Sequence, residues 1–167
     1  MLVAQCLGDM TEGGASNGDC SNTRYHLLMA DAGIVPAQPG KMAGEAGIGV
    51  ILMTPLGEIL ERISERIGWV ENHHVAEYQA LIRGLEAAYF REIKYLRVRL
   101  DSAQVINQLT GKWRVKAECV KRSYEQAASL RTQFVDTELV RVPREANGEA
   151  HALARIALRP LRAKQLL

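Results

Sequence analysis

Three carboxylates stand where a fold could bring them together. Asp31 closes the short apolar run that starts at Tyr25, and Asp101 follows the alternating run Tyr95-Leu-Arg-Val-Arg-Leu100. Glu77 lies among Ala76, Tyr78 and Leu81 in the first turns of a helical stripe. If the two strands are neighbours, Asp31 and Asp101 leave the same edge of a sheet. A helix crossing that sheet can then aim Glu77 at them. Carboxylates gathered without a Lys or Arg repel one another unless a cation intervenes. Oxygen donors suit hard divalent ions, so Mg²⁺ is the natural choice and Mn²⁺ an acceptable one. Two such ions activate water and stabilise the leaving oxygen in phosphodiester hydrolysis. Plainer roles are open to the same residues. Asp101-Ser102 makes a good helix-capping pair, and a lone Glu on a helix commonly meets only solvent.

The elements that would position these acids are legible in the pattern. Gly47 to Thr54 is apolar and β-branched, a buried strand, and Pro55-Leu-Gly57 turns the chain. Glu58 to Ile67 fits both helical spacing and alternation, and the preceding turn favours a strand. Asn72 caps a helix whose stripe is Val75, Ala76, Tyr78, Ala80, Leu81, Leu85, Ala88 and Tyr89. After the strand ending at Leu100, a short helix runs from Ser102 to Leu109 and stops at Gly111. A longer helix spans about Lys116 to Phe134, Glu138 to Val142 is a strand stopped by Pro143, and Asn147 to Leu158 is a last helix. The stretch from Ala32 to Ala46, broken by Pro36, Pro39 and several glycines, reads as a loop. The order β-β-β-α-β-α-α-β-α implies an α/β domain with a mixed sheet and helices packed on it.

The 167 residues suit one domain. A hydrophobic fraction of 47% and a charged fraction of 24% allow a real core and exclude collagen, coiled coil and wholesale disorder. The formal net charge of +2 is too mild to mark a nucleic-acid binder, so any basic surface must be local. No apolar run approaches the roughly 18–20 residues that span a bilayer. Cys6, Cys20 and Cys119 are far apart and form no CxxC pair, which argues against a disulfide framework or structural zinc. No basic, apolar leader opens the chain, and the expected compartment is cytoplasmic. Residues 1–24, rich in Gly, Ser, Asn and Asp, read as a flexible segment, and residues 159–167 as a basic tail.

Four stretches carry a family resemblance: AGIGVIL (46–52), VAEYQALIRGLEAA (75–88), VRLDSAQVINQLTGKWRVK (98–116) and VPREANGEAHALA (142–154). In this order they resemble the ribonuclease H family, in its reverse-transcriptase-like (type I) branch. The resemblance covers residues 25–158. It implies a ribonuclease H-like fold with a five-stranded mixed sheet flanked by helices. It also implies an endonuclease that cuts the RNA strand of RNA–DNA hybrids with two Mg²⁺ ions. Asp31, Glu77 and Asp101 then take three of four metal-binding acid roles. His151 stands in the fourth, where the family usually has an acid, so His151 is carried as both a catalytic and a metal-facing candidate.

His73 and His74 stand where the family commonly has two Asn residues that touch the nucleic-acid backbone. The resemblance extends the nucleic-acid surface to Ser102, Asn107, Lys112, Trp113, Arg114 and Lys116. That segment is basic with an aromatic interleaved, a pattern that serves phosphates and sugars and equally a solvated loop. No membrane and no small-molecule cofactor are implied. The alternative is a catalytically weakened ribonuclease H-fold module that binds nucleic acid, a reading that His73, His74 and His151 support.

Overall fold

In the computed structural model, residues 24–159 are described. The strands are β1 (His26–Pro36), β2 (Gly44–Met53), β3 (Ile59–Val70), β4 (Tyr95–Leu100) and β5 (Asp136–Arg141). The helices are α1 (His73–Phe90), α2 (Ala103–Leu109), α3 (Glu118–Arg131) and α4 (Gly148–Ala157), with a 3₁₀ turn at Arg144–Asn147 before α4. The strands form one sheet in the order β3-β2-β1-β4-β5. β1, β2 and β3 pair antiparallel, while β1 with β4 and β4 with β5 pair parallel. This is the expected five-stranded mixed sheet. The expectations for the N-terminal segment up to residue 23 and for the tail from residue 160 lie outside the described residues. Of the cysteines, Cys119 is a half-buried free thiol, and Cys6 and Cys20 also lie outside.

Alternation along the strands sorts side chains onto two faces. Leu28, Ala30, Ile48, Val50, Leu52, Leu96 and Val98 join Tyr78, Leu81 and Leu85 of α1 and Val120 and Ala127 of α3 in the main core. Met29 and Ile51 face the other way and meet Ala150 of α4. So α1 and α3 cover one face, and α4 the other. Glycine makes the second packing possible. A Cβ added at Gly49 would fall 2.0 Å from the carbonyl oxygen of Ala150, so the backbone of α4 rests directly on β2.

The ambiguous segment after Gly57 is a strand. Thr54 N–H donates to the Glu58 carbonyl at 2.8 Å and Gly57 adopts φ 87°, closing the turn that makes β2 and β3 a hairpin. The expected loop over 32–46 is corrected. β1 continues past Asp31 to Pro36, paired with β2 from Ala32↔Ile48 to Pro36↔Gly44, and the connection is only 37–43. The prolines and glycines suggested a loop, but Pro36 sits at the strand's end, where its missing N–H is harmless. The long helix is shorter than its pattern: α3 stops at Arg131, and Phe134 packs on the core from the turn beyond. The last strand begins at Asp136, two residues earlier than its pattern suggests.

Candidate active site

β1 outruns its parallel neighbour. Pairing with β4 covers only His26↔Leu96 to Met29↔Arg99. Continuing that register by two residues sets Asp31 opposite Asp101, where the two strands part. Asp31 is therefore not the end of its strand, as its sequence suggests, but the point at which β1 leaves β4. The effect expected of a strand-end acid is preserved, because β4 is the strand that stops. Asp31, Glu77, Asp101 and Ser102 line a small cavity there with Ala30, Leu100 and Val105.

Each carboxylate is held. Asp31 is 8% exposed and accepts from the Ala32 main-chain N–H at 2.8 Å and from His151 Nδ1 at 2.7 Å. Burial first, and the neighbouring Asp101 charge second, push the Asp31 carboxyl above its ordinary range, with His151 and the Ala32 N–H pulling it back. Asp101 Oδ1 accepts from Asn147 Nδ2 at 3.3 Å. The same amide donates to the Ala30 carbonyl at 2.9 Å, so Asn147 ties β1, the end of β4 and the start of α4 together. Glu77 Oε2 accepts from Ser102 Oγ at 2.8 Å and lies 2.8 Å from His74 Nδ1. Ser102 does cap α2, its Oγ accepting from Val105 N–H at 3.4 Å, and it also reaches across to Glu77. The capping expected of this residue is present, and the contact with Glu77 adds to it.

His151 faces the acids. Gly49 is the cross-strand partner of Asp31, and the close seat of α4 on Gly49 brings the residue after Ala150 onto the Asp31 carboxylate. Arg144 Nη2 lies 3.2 Å and 3.3 Å from the two ring nitrogens. With Nδ1–H donating to Asp31, Nε2 is the atom left to accept from the guanidinium. Glu149 is exposed on another face of α4 and does not replace an acid.

His73 and His74 open α1, with ring centroids 3.8 Å apart. The Asn72 side chain caps the helix by accepting from the His74 N–H at 2.9 Å. Burial lowers the His73 imidazole below its ordinary value, which favours the neutral ring. Placed as backbone-contact residues by their sequence position, these histidines sit beside a site carboxylate. The nucleic-acid candidates thus fall into two groups. His73, His74 and Ser102 adjoin Glu77. Lys112, Trp113, Arg114 and Lys116 line a separate groove of about 480 Å³ with Gln104, Gln108 and Ala117. Trp113 is 52% exposed. Asn107 closes that loop through its carbonyl, which accepts from the Trp113 N–H at 3.0 Å. Its basic residues follow the end of α2, and the groove runs along that helix, because Gln104 of the first turn lines it as well.

Two supporting residues escaped sequence reading. Asn147 is fully buried, and its Oδ1 has no protein partner. Tyr78 donates its hydroxyl to Gln108 Oε1 at 2.9 Å inside the core, fixing α2 against α1. An Asn just ahead of an Ala-rich helix looks like a cap, and only tertiary contact shows it reaching Asp101.

A sheet ordered 3-2-1-4-5, with helices on both faces and acids gathered where β1 and β4 part, defines a ribonuclease H-type fold. The family model described as reverse transcriptase-like matches residues 39–157, and the chain belongs to that family, a branch of the ribonuclease H class. It is 38% identical over 115 residues to ribonuclease HI of Halobacterium salinarum, covering 69% of this chain and 57% of that one. It is 35% identical over 116 residues to the bifunctional protein Rv2228c of Mycobacterium tuberculosis, covering 69% of this chain and 32% of that one. The chain thus spans somewhat over half of the first relative's length and about a third of the second's. The N-terminal RNase H domain of the mycobacterial protein, solved as a maltose-binding-protein fusion, superposes with a TM-score of 0.73 at 32% identity, covering 80% of this chain and 98% of that one. LC11-RNase H1, solved with an RNA/DNA hybrid, gives a TM-score of 0.71 at 30% identity, covering 82% and 99%.

Proposed function

We propose that this protein is an endoribonuclease that hydrolyses the RNA strand of RNA–DNA hybrids with divalent metal assistance. The observation that carries the reading is the meeting of Asp31, Glu77 and Asp101 where β1 and β4 part. Among the described residues their hydrogen-bond partners are His151, His74, Ser102, Asn147 and a main-chain N–H, with no Lys or Arg. Burial first, and the Asp101 charge second, raise the Asp31 carboxyl, and a bound cation would offset both. That donor set fits Mg²⁺, held by Asp31, Glu77 and Asp101 with His151 at the margin, and a nitrogen donor there leaves room for Mn²⁺. When bound, such ions supply an activated water and stabilise the leaving oxygen.

The chain's own residues do the positioning. Ser102 and His74 hold the Glu77 carboxylate, and Asn147 holds Asp101. His151 keeps a proton at Nδ1 directed at Asp31 while Arg144 meets its other nitrogen. On the segment after α2, Lys112, Arg114 and Lys116 offer charge to the phosphates of the uncut strand, and Trp113 offers a face to a sugar or base. RNA is told from DNA by its 2′-hydroxyls.

The test is a hybrid labelled on each strand in turn, alongside an all-DNA duplex of the same sequence. The RNA strand should be cut and neither DNA substrate. Comparable cleavage of the DNA duplex would replace this reading with a general nuclease. A second reading, a binding module that does not cut, is favoured by one feature: His74 and His151 each already occupy a site carboxylate. Tight hybrid binding with no cleavage in Mg²⁺ or Mn²⁺ would select it.

A further inference from the structure

We propose that His73, His74 and Glu77 form a second metal site, for a borderline transition cation of the Zn²⁺ class, and that its occupation switches the enzyme off by withdrawing Glu77. Among the described residues this is the group of three acid or imidazole side chains whose ligand atoms all lie within 4.8 Å of one another. The primary sequence and the helix account for that closeness. His73 and Glu77 are four residues apart and His74 and Glu77 three apart, the two spacings that share a helical face. Asn72 clamps the first turn by accepting from the His74 N–H. His74 Nδ1 already stands 2.8 Å from Glu77 Oε2. The His73 and His74 rings are 3.8 Å apart at 42°. His74 and Glu77 are 18% and 19% exposed, open enough for an ion to enter and shielded enough to hold it.

The donor chemistry differs from that of the neighbouring acids. Asp31 and Asp101 offer hard oxygens. Two imidazoles and one carboxylate, with further positions left to water, make an exchangeable site of the kind Zn²⁺ accepts and Mg²⁺ does not favour. The positive end of the α1 dipole opposes a cation here, and the Glu77 charge offsets it. Glu77 links the two sites. Its Oε2 already accepts from Ser102 and meets His74, so a cation drawn onto that oxygen by the histidines competes with its service to the catalytic centre. The binding claim stands on the cluster alone, and the inhibition claim rests on the function proposed above.

The experiment uses the full chain, freed of metal, with Co²⁺ as probe. With saturating Mg²⁺ present to fill the acid centre, the expected result is one Co²⁺ per chain, with visible ligand-field bands and no thiolate charge-transfer band, displaced by one equivalent of Zn²⁺. His73→Asn and His74→Asn should each weaken that binding at least tenfold, and Asp101→Asn should not. In hybrid cleavage at saturating Mg²⁺, each protein scaled to its own zinc-free rate, His73→Asn should need at least tenfold more Zn²⁺ for half-inhibition. Unchanged Co²⁺ affinity in both histidine variants would overturn the site, as would a thiolate band lost in Cys119→Ser. Zinc inhibition equal in wild type and His73→Asn would overturn the switch. If the wild type cut no hybrid, the function proposed above would fall, and the Co²⁺ titration would still decide the site.

Discussion

The acids precede α2 and the basic residues of the groove follow it, and the two regions are built in opposite ways. Around the acids every side chain is placed by a neighbouring element: Asp31 by a paired strand, Asp101 by the buried Asn147, Glu77 by Ser102 and His151 by the seat of α4 on Gly49. Around the groove, Lys112, Trp113, Arg114 and Lys116 are all exposed on an irregular connection. Bond-breaking needs groups fixed before the substrate arrives. Gripping a charged backbone needs only cations near enough to displace counterions. The two regions should therefore respond differently to damage: the acids through turnover, the groove through affinity and salt.

The largest effect is expected at Asp101. Asp101→Asn removes one anionic oxygen donor and keeps the size of the side chain. Turnover on a hybrid should fall by about three orders of magnitude, roughly 4 kcal/mol of barrier, while the melting temperature stays near that of the wild type. A variant retaining more than a tenth of the wild-type rate would remove Asp101 from the chemistry. Gly49→Ala comes next. Its Cβ would meet Ala150 O at 2.0 Å, so α4 must lift from β2 and carry His151 off Asp31. Overpacking of this kind costs about 1–3 kcal/mol. Denaturant unfolding should show that loss together with reduced turnover, and an unchanged midpoint would mean that α4 does not rest on β2 at this point.

The groove sharpens the contrast from the other side. Lys112→Ala with Arg114→Ala should raise KM about tenfold with kcat little changed. It should also flatten the dependence of log affinity on log salt by about two units. A fall in kcat alone would mean that the two regions are not independent. The smallest effect concerns stability. The folded protein holds the Asp31 proton to a higher pH than the unfolded chain does, because of burial and the Asp101 charge. Stability without metal is therefore lost as pH rises from the unfolded value through the raised folded one. At neutral pH the ionised carboxylate is a burden. Asp31→Asn should raise the melting temperature of the metal-free protein at pH 7, by about 2–4 °C for each kcal/mol relieved. The gain should shrink in acid, where the wild-type carboxyl is itself protonated. A variant that melts lower than wild type at pH 7 would contradict the electrostatic reading of the site.

Much of this was legible in the residues, and the failures have physical causes. α1 and β4 announce themselves by periodicity, and β4 buries the alternate residues its pattern selects. In α1 most of the stripe is buried, but Tyr89 is exposed and Val75 half-buried, while Ile82, Gly84 and Ala87 are buried outside it. β3 has no clean pattern because it is a sheet edge exposed along most of its length, and only its turn identified it. The far half of β1 hid behind Pro36 and its glycines, since a strand's partner, not its own composition, decides whether it continues. That error placed Asp31 at a strand end, yet it left the meeting of Asp31 with Asp101 intact. Asn147 and Gly49 lie in quoted motifs, but nothing local shows what either one touches. One matters because an amide spans three elements, and the other because a side chain is missing where two backbones touch. The histidines beside Glu77 were visible as departures from a resembled motif, but their closeness to the carboxylate needed the helix to be built.

The proposed function requires that carboxylates collected by the fold drive hydrolysis by water with a divalent ion. The measurement closest to it is the chemical nature of the RNA ends produced from a labelled hybrid, with Mg²⁺ and with excess chelator. Attack by water leaves linear phosphate ends, whereas attack by the neighbouring 2′-hydroxyl leaves a 2′,3′-cyclic phosphate. The proposed function predicts linear ends only, and no cleavage in chelator. Cyclic phosphate ends that persist in chelator would assign the chemistry to the histidines instead and contradict it.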